Sequence, residues 1–285
     1  MTTYGNKVDL HTHSNVSDGS MSPAELVRHA IDSGLQVLAL TDHDTIDGLS
    51  EAIAAAKGTN LTLVSGVELA AWYDKKVELH IVGLFVDHED DVFKKAMKDM
   101  QEVRESRNER MVDLMQRGGI DITLEQLTRE EGDGILTRAN FAAYLKNHGY
   151  VGSINEAFDR YLDNGKPFYI PRETLSPDRA IQLILGAGGI PILAHPMLYK
   201  IGGETREKII RELIEMGLLG METYYSMNTP SDTQYCLELA RRYNLLRSGG
   251  SDYHGTYKPH IEIGKGRGRL YIPMDDFRKL QAFAK

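Results

Sequence analysis

Short β-branched, apolar runs at residues 7–13, 36–41, 61–69 and 77–86 mark the first ninety positions, and helical periodicity separates the first three. Ser22-Pro23-Ala24-Glu25 reads as a helix start, with a serine cap, a proline in the first turn and a glutamate that closes a capping box. Leu26, Val27, Ala30 and Ile31 supply its apolar face, and Gly34 ends it. Strands spaced by such helices predict βα units in a mostly parallel sheet.

From residue 90 to 174 the pattern turns helical and charged. A long amphipathic helix is predicted over 91–117, stopped by Gly118-Gly119, with shorter helices near 124–130, 138–147 and 154–162. The alternation then returns: helices at 178–185, 204–216 and 232–243 precede strands at 191–194, 220–225 and 245–248. A short strand at 270–272 and a helix from Met274 finish the chain. The division expected is a barrel first part (1–89), a helical insertion acting as a substrate cap (90–174) and a barrel second part (175–285). About seven βα repeats suit a closed or nearly closed barrel; a doubly wound open sheet is the alternative left open by periodicity.

Composition acts mainly by exclusion. With 41 acidic and 33 basic residues the formal charge is −8, a poor match for long duplex nucleic acid. An anionic substrate would need a local reversal of that field. The single cysteine, Cys236, forms no internal bridge, which fits a reducing compartment. The N-terminus lacks a signal-peptide core, and no run approaches ~18 apolar residues. A cytoplasmic protein without membrane contact is expected; oligomeric state is left open.

The chemistry sits in the histidines. His11 and His13 end the first strand at i and i+2, on one face. His43, His195 and His254 follow later strands, and Asp18, Glu68 and Asp252 occupy similar places. In β/α folds the C-terminal strand ends form the active face. One strand-end histidine is usually a satisfied polar residue. This many titratable groups gathered at one rim would be costly to bury without a cation.

Asp9-x-His11-x-His13, Ser17-Asp18-Gly19, Thr41-Asp42-His43-Asp44, Gly66-Val67-Glu68, Ala194-His195-Pro196 and Ser251-Asp252-Tyr253-His254 resemble, in this order, the motifs of the PHP (polymerase and histidinol phosphatase) family. The resemblance covers both barrel halves. It implies an α/β fold, a distorted (β/α)7 barrel with a helical insertion, and a trinuclear metal site. Carried over, one metal takes His11, His13, Glu68 and Asp252. A second shares Glu68 and adds His80 and His195, and a third takes Asp18, His43 and His254. His80 lies inside a strand and matches least by motif. Asp9 and Asp42 are expected to orient ligand imidazoles.

Three divalent cations against three ligand carboxylates and a hydroxide leave about two positive charges in the pocket, enough to trap an anion. Imidazole-rich ligation suits Mn, Fe or Zn better than Mg or Ca. The expected chemistry is metal-assisted phosphoester hydrolysis by a bridging hydroxide, centred on His11, His13, Glu68 and Asp252. No serine or cysteine nucleophile is needed: Ser14 and Ser17 have no triad context, and Cys236 falls mid-helix.

Arg138 at a helix start after Gly132–Gly134, and Lys166 in Gly165-Lys166-Pro167, are the candidate substrate contacts. With its Thr-Arg-x-x-Phe and Tyr-Leu-x-x-Gly-Lys-Pro segments, the insertion resembles the PHP branch that removes the 3′-phosphate of nucleoside 3′,5′-bisphosphates and trims short 5′-phosphorylated RNA. The expected partner is thus a phosphorylated small molecule or short oligonucleotide. A small-metabolite phosphatase, such as one for histidinol phosphate, and a catalytically silent metal-bound domain are the alternatives. Tyr224 and Tyr225 are candidates for base stacking or for packing; His260, Lys265, Arg267 and Arg269 have no assigned role.

Overall fold

The computed structural model describes residues 7–74, 76–131, 136–171 and 175–284. Among these, seven strands run in sheet order β1 (Val8–Asp9), β2 (Val37–Leu40), β3 (Thr62–Tyr73), β4 (Val77–Leu84), β5 (Ile190–Leu193), β6 (Gly220–Tyr225) and β7 (Leu246–Gly250). The two ends meet: Leu10 N–H donates to Gly249 O at 3.1 Å, Asp252 N–H to His11 O at 2.8 Å and His13 N–H to Tyr253 O at 3.0 Å. The sheet is therefore a nearly closed barrel, and the open-sheet alternative falls. Closure demands glycine, because a Cβ on Gly250 would stand 2.2 Å from His11 Cβ and 2.5 Å from its backbone nitrogen.

β4 is the exception to parallel pairing, running antiparallel to both β3 and β5. The turn between Tyr73 and Val77 is too short for a crossover helix, so the strand must return alongside. β3 also runs four residues beyond its expected end at 69, forming with β4 a hairpin that rises past the rim.

Helices α1 (Pro23–Asp32), α2 (Leu49–Ala56), α7 (Pro177–Gly186), α8 (Gly203–Glu215) and α9 (Pro230–Arg242) flank the barrel. The α1 capping box forms as expected, but of its proposed face only Leu26, Val27 and Ala30 are buried; Ile31 is partly exposed. Outward strand residues such as Leu38 and Leu40 pack with these helices, while Val37, Ala39, Val82 and Ile192 fill the interior. α10 (Met274–Phe283) plugs the interior's lower end with Phe277 and Leu280. Residues 270–272 form no strand: β7 already pairs with the β1 segment, and Ile272 joins the interior packing instead.

Between β4 and β5 lie α3 (Asp91–Arg117), α4 (Leu124–Glu131), α5 (Arg138–Asn147) and α6 (Ile154–Ala157). The helix expected through residue 162 breaks into α6 and a π turn at Phe158–Leu162. Met111, Met115, Phe141 and Leu145 belong to a separate apolar core in this segment. Phe93 and Met97 of α3 belong to the main one. Between these two apolar stretches the buried face of α3 turns polar, with Arg104, Arg107 and Asn108. Gly132–Gly134, which precede the expected helix start at Arg138, lie outside the described residues. No helix among them is long and apolar enough to cross a membrane.

Candidate metal centre

The strand ends bring nine side chains to one rim. His11 and His13 project from the β1 extension, His43 follows β2, Glu68 lies in β3 and His195 follows β5. His80 stands mid-β4 yet reaches the same rim, because β4 descends from the hairpin and pairs it with Ala70. This antiparallel register accounts for the one histidine that motif spacing placed least well.

Glu68 is the hub. One of its oxygens is 2.9 Å from His80 Nδ1 and 3.0 Å from His195 Nε2; the other is 3.2 Å from His11 Nε2, 3.4 Å from His13 Nε2 and 3.1 Å from His43 Nδ1. Asp252 Oδ1 lies 3.3 Å from His13 Nε2 and 3.4 Å from His254 Nδ1. Asp18 Oδ1 lies 3.2 Å from His254 Nε2, and its other oxygen 3.7 Å from His43 Nε2. Three overlapping donor groups result: His13, Asp18, His43 and His254; His11, His13 and Asp252; His43, Glu68 and His80. The partition differs in detail from the one the motifs imply, since His13 and His43 each serve two groups and His195 joins through Glu68.

Without cations this cluster is poorly satisfied. His11 Nε2, both ring nitrogens of His13 and His195 Nδ1 are buried without a hydrogen-bond partner. Buried polar atoms are rarely left this way unless an ion or water completes them. One carboxylate facing five imidazoles cannot serve them all by hydrogen bonding. Soft-to-borderline nitrogen donors around shared carboxylates fit divalent transition metals. Burial, reinforced by neighbouring His254, drives the His13 pKa down to about 3, which keeps that ring neutral. Burial opposes ionisation of Glu68 too, but His11, His43 and His80 together hold its carboxyl well below the usual range.

Asp9 and Asp42 do not orient imidazoles. Asp9 accepts backbone N–H groups from Ser251 at 2.8 Å and Gly264 at 2.7 Å, tying the 251–264 segment to β1. Asp42 accepts Ser14 N–H at 2.7 Å and the hydroxyls of Ser14 and Ser17 at 2.6 Å, fixing the loop that carries Asp18. Burial raises both carboxyls to about 6. The acid that meets the far side of a candidate ligand ring, on His11 Nδ1, is Glu222, which local motifs do not single out; a lone acid inside the apolar and aromatic strand Gly220–Tyr225 was its signal. Tyr225 is buried with its hydroxyl on Asp252 at 2.8 Å, and the half-buried Tyr224 packs against the interior core and donates to Asp276 at 2.9 Å. Lys258 Nζ lies 2.7 Å from Asp252 Oδ2. Cys236 is buried, its thiol pushed up to about 12 by burial.

A cavity of about 250 Å³ opens from the cluster toward the helical segment. Asp18, His43 and His80 line one side; Arg104, Arg107, Arg138, Phe158 and Tyr169 line the other. Arg104 pairs with Asp44, Arg107 donates to Ile170 O at 3.3 Å, and Arg138 stands 3.6 Å from Glu78 and over the Tyr169 ring. Arg138 follows the Thr137 cap of α5. Lys166 is exposed in a turn and does not line the cavity. His260, Lys265, Arg267 and Arg269 are exposed, with Lys265 paired to Glu262 at 2.8 Å.

A nearly closed β/α barrel whose rim gathers imidazoles and shared carboxylates beside an arginine-lined cavity defines a metal-dependent phosphoesterase. The chain belongs to the PHP domain family, whose model matches residues 9–245. It is 38% identical over 91% of its length to a 5′-3′ exoribonuclease of Haemophilus influenzae, covering 93% of that protein. It is 31% identical to a 3′,5′-nucleoside bisphosphate phosphatase of Chromobacterium violaceum, over 96% of each chain. A solved structure from Bifidobacterium adolescentis, assigned as a metal-dependent phosphoesterase, superposes with a TM-score of 0.83 at 28% identity over 97% of this chain and 96% of that one.

Proposed function

We propose that this phosphoesterase removes the 3′-phosphate of nucleoside 3′,5′-bisphosphates and trims short 5′-phosphorylated oligonucleotides, with the 90–174 segment as a substrate cap. The observation that carries this reading is the cavity joining Asp18, His43 and His80 to Arg104, Arg107 and Arg138. A bisphosphate needs two anion sites, and here a candidate metal centre faces three guanidiniums. The names of the two relatives support the same substrate class. A monophosphate such as histidinol phosphate has no use for the second site.

The nine side chains would hold up to three Mn, Fe or Zn ions: His11, His13, Glu68 and Asp252 around one, Glu68 with His80 and His195 around a second, and Asp18, His43 and His254 around a third. Bound divalent ions supply Lewis acidity and make water acidic enough to become a nucleophile near neutral pH. The protein's own contribution is placement. Glu68 and Asp252 link the imidazoles, Asp42 holds the loop of Asp18, and Arg138 takes the phosphate that is not cleaved. Bidentate guanidinium contacts suit a phosphate better than a lysine would.

Phosphate release from adenosine 3′,5′-bisphosphate and histidinol phosphate, and release of 5′-mononucleotides from 5′-phosphorylated RNA of a few nucleotides, measured with metal-reconstituted protein, test the reading. Turnover of the bisphosphate and the RNA well above that of histidinol phosphate is expected. Preference for histidinol phosphate would overturn it.

A further inference from the structure

Glu222 is a buried acid at the metal centre that the ligand assignment leaves without a task. It sits mid-β6 and is 1% exposed. One of its carboxylate oxygens lies 2.9 Å from His11 Nδ1, and the other accepts the His195 backbone N–H at 2.7 Å. Both oxygens are thus engaged, one with each histidine. A carboxylate only accepts, so the ring nitrogen facing it must carry the proton. The opposite nitrogen, His11 Nε2, is buried without a hydrogen-bond partner, 3.2 Å from Glu68 and 3.8 Å from Asp252. His195 adopts a left-handed backbone, φ 28°, a conformation that costs energy in a non-glycine residue unless its surroundings hold it.

We propose that Glu222 is the positioning residue of the metal centre. It keeps the proton on His11 Nδ1, leaving the Nε2 lone pair for a cation, and with the same carboxylate anchors the backbone that presents His195. Two histidines from opposite chain halves, at β1 and after β5, are set by one acid on β6. This inference rests on the reading of the cluster as a metal site.

Glu222→Gln separates positioning from packing, because the side chain keeps its shape. A carboxamide has one acceptor where the site has two donors. If its oxygen takes the His195 N–H, its NH2 faces His11 Nδ1. The ring must then accept there and carry its proton on Nε2, where the lone pair was needed. If the amide turns round, its NH2 opposes the His195 N–H instead. Either orientation costs one of the two ligands its placement.

The experiment reconstitutes wild type and E222Q with zinc, removes excess by gel filtration, and measures zinc per chain and its retention against a chelator. Circular dichroism of the metal-free proteins reports the fold. Zinc affinity about 10–100-fold weaker in a folded E222Q is expected, the range typical of lost partners behind metal ligands. Retention equal to wild type overturns the proposal. Wild type that holds no zinc overturns the metal reading beneath it, a distinguishable failure. Should E222Q not fold, long-range ¹H–¹⁵N correlation of the histidine rings in zinc-loaded wild type decides. His11 must show a protonated Nδ1 and a zinc-ligated Nε2, and the reverse tautomer refutes the assignment.

Discussion

Arg138→Ala is the sharpest test of how the cavity recognises its substrate. The guanidinium is 29% exposed and its ion pair with Glu78 is long, 3.6 Å, so that pair is cheap to exchange for a phosphate. A hydrogen bond to a charged group contributes about 1.5–3 kcal/mol. Partial exposure argues for the lower end, about 1.5–2 kcal/mol. At 1.4 kcal/mol per tenfold, kcat/KM for adenosine 3′,5′-bisphosphate falls by about 10–30-fold. Adenosine 3′-monophosphate offers the same scissile group without the 5′-phosphate, and its kcat/KM changes by less than about twofold if Arg138 touches only the second phosphate. The Tyr169 ring lies 5.6 Å from the guanidinium carbon, so the substitution also forfeits about 0.5–1 kcal/mol of cation–π contact. Melting curves correct for that. Phosphate release measured with both substrates on both proteins gives the answer, and equal loss on the two refutes the assignment.

Three further outcomes follow from the same structure. Gly250→Ala places a Cβ against His11 Cβ and backbone, neither of which is a flexible chain end, so it costs about 1–3 kcal/mol or more; a melting temperature within a degree of wild type would contradict the close approach. Removal of divalent ions by chelation abolishes hydrolysis and lowers the melting temperature, because an ion held at 100 times its Kd contributes about 2.7 kcal/mol to the folded state; an unchanged transition in calorimetry would speak against a metal centre. Cys236, with its thiol raised to about 12, is on the order of 10⁻⁴ thiolate at pH 8 and resists iodoacetamide until the chain is unfolded; rapid labelling of native protein, read by mass spectrometry, would disprove its burial.

The strand-end histidines were legible because position along a parallel strand translates directly into position on a rim. His11 and His13 needed only the two-residue period of a strand. The long α3 was legible from its periodicity and from Gly118-Gly119, and its limits, Asp91–Arg117, agree with those expected. What escaped were relations between distant segments. Asp9 and Asp42 look like partners for imidazoles because they stand next to them in sequence, yet their oxygens reach backbone and serine donors on the neighbouring strand ends. Glu222 and His11 are 211 positions apart, and no local pattern pairs them. The same holds for Lys258 and Tyr225, which meet on one oxygen of Asp252. The strand expected at 270–272 failed for a related reason, since local propensity carries no information that the barrel has already closed.

The reversal of β4 also explains the shape of the helical segment. A strand that descends from the rim leaves the chain at the lower end of the barrel, beside Ala187, whose carbonyl accepts Asp87 N–H at 2.8 Å. A segment that lines the cavity at the rim must therefore climb back. α3 does this in 27 residues, about 40 Å at 1.5 Å per residue. Phe93 and Met97 pack into the main core on the way up. At Gln101 the helix reaches the loop after β2, where its side chain donates to Thr45 at 2.8 Å and Asp47 at 2.9 Å. One turn on, Arg104 meets Asp44, and Arg107 meets the Ile170 carbonyl. Beyond them the apolar stripe resumes with Met111 and Met115 in the second core. The polar interruption thus falls where α3 passes the mouth, and an uninterrupted apolar stripe there would leave Asp44 without its arginine. A short turn between β3 and β4 requires the descent, the descent requires a long helix, and the helix carries two arginines to the edge of the cavity.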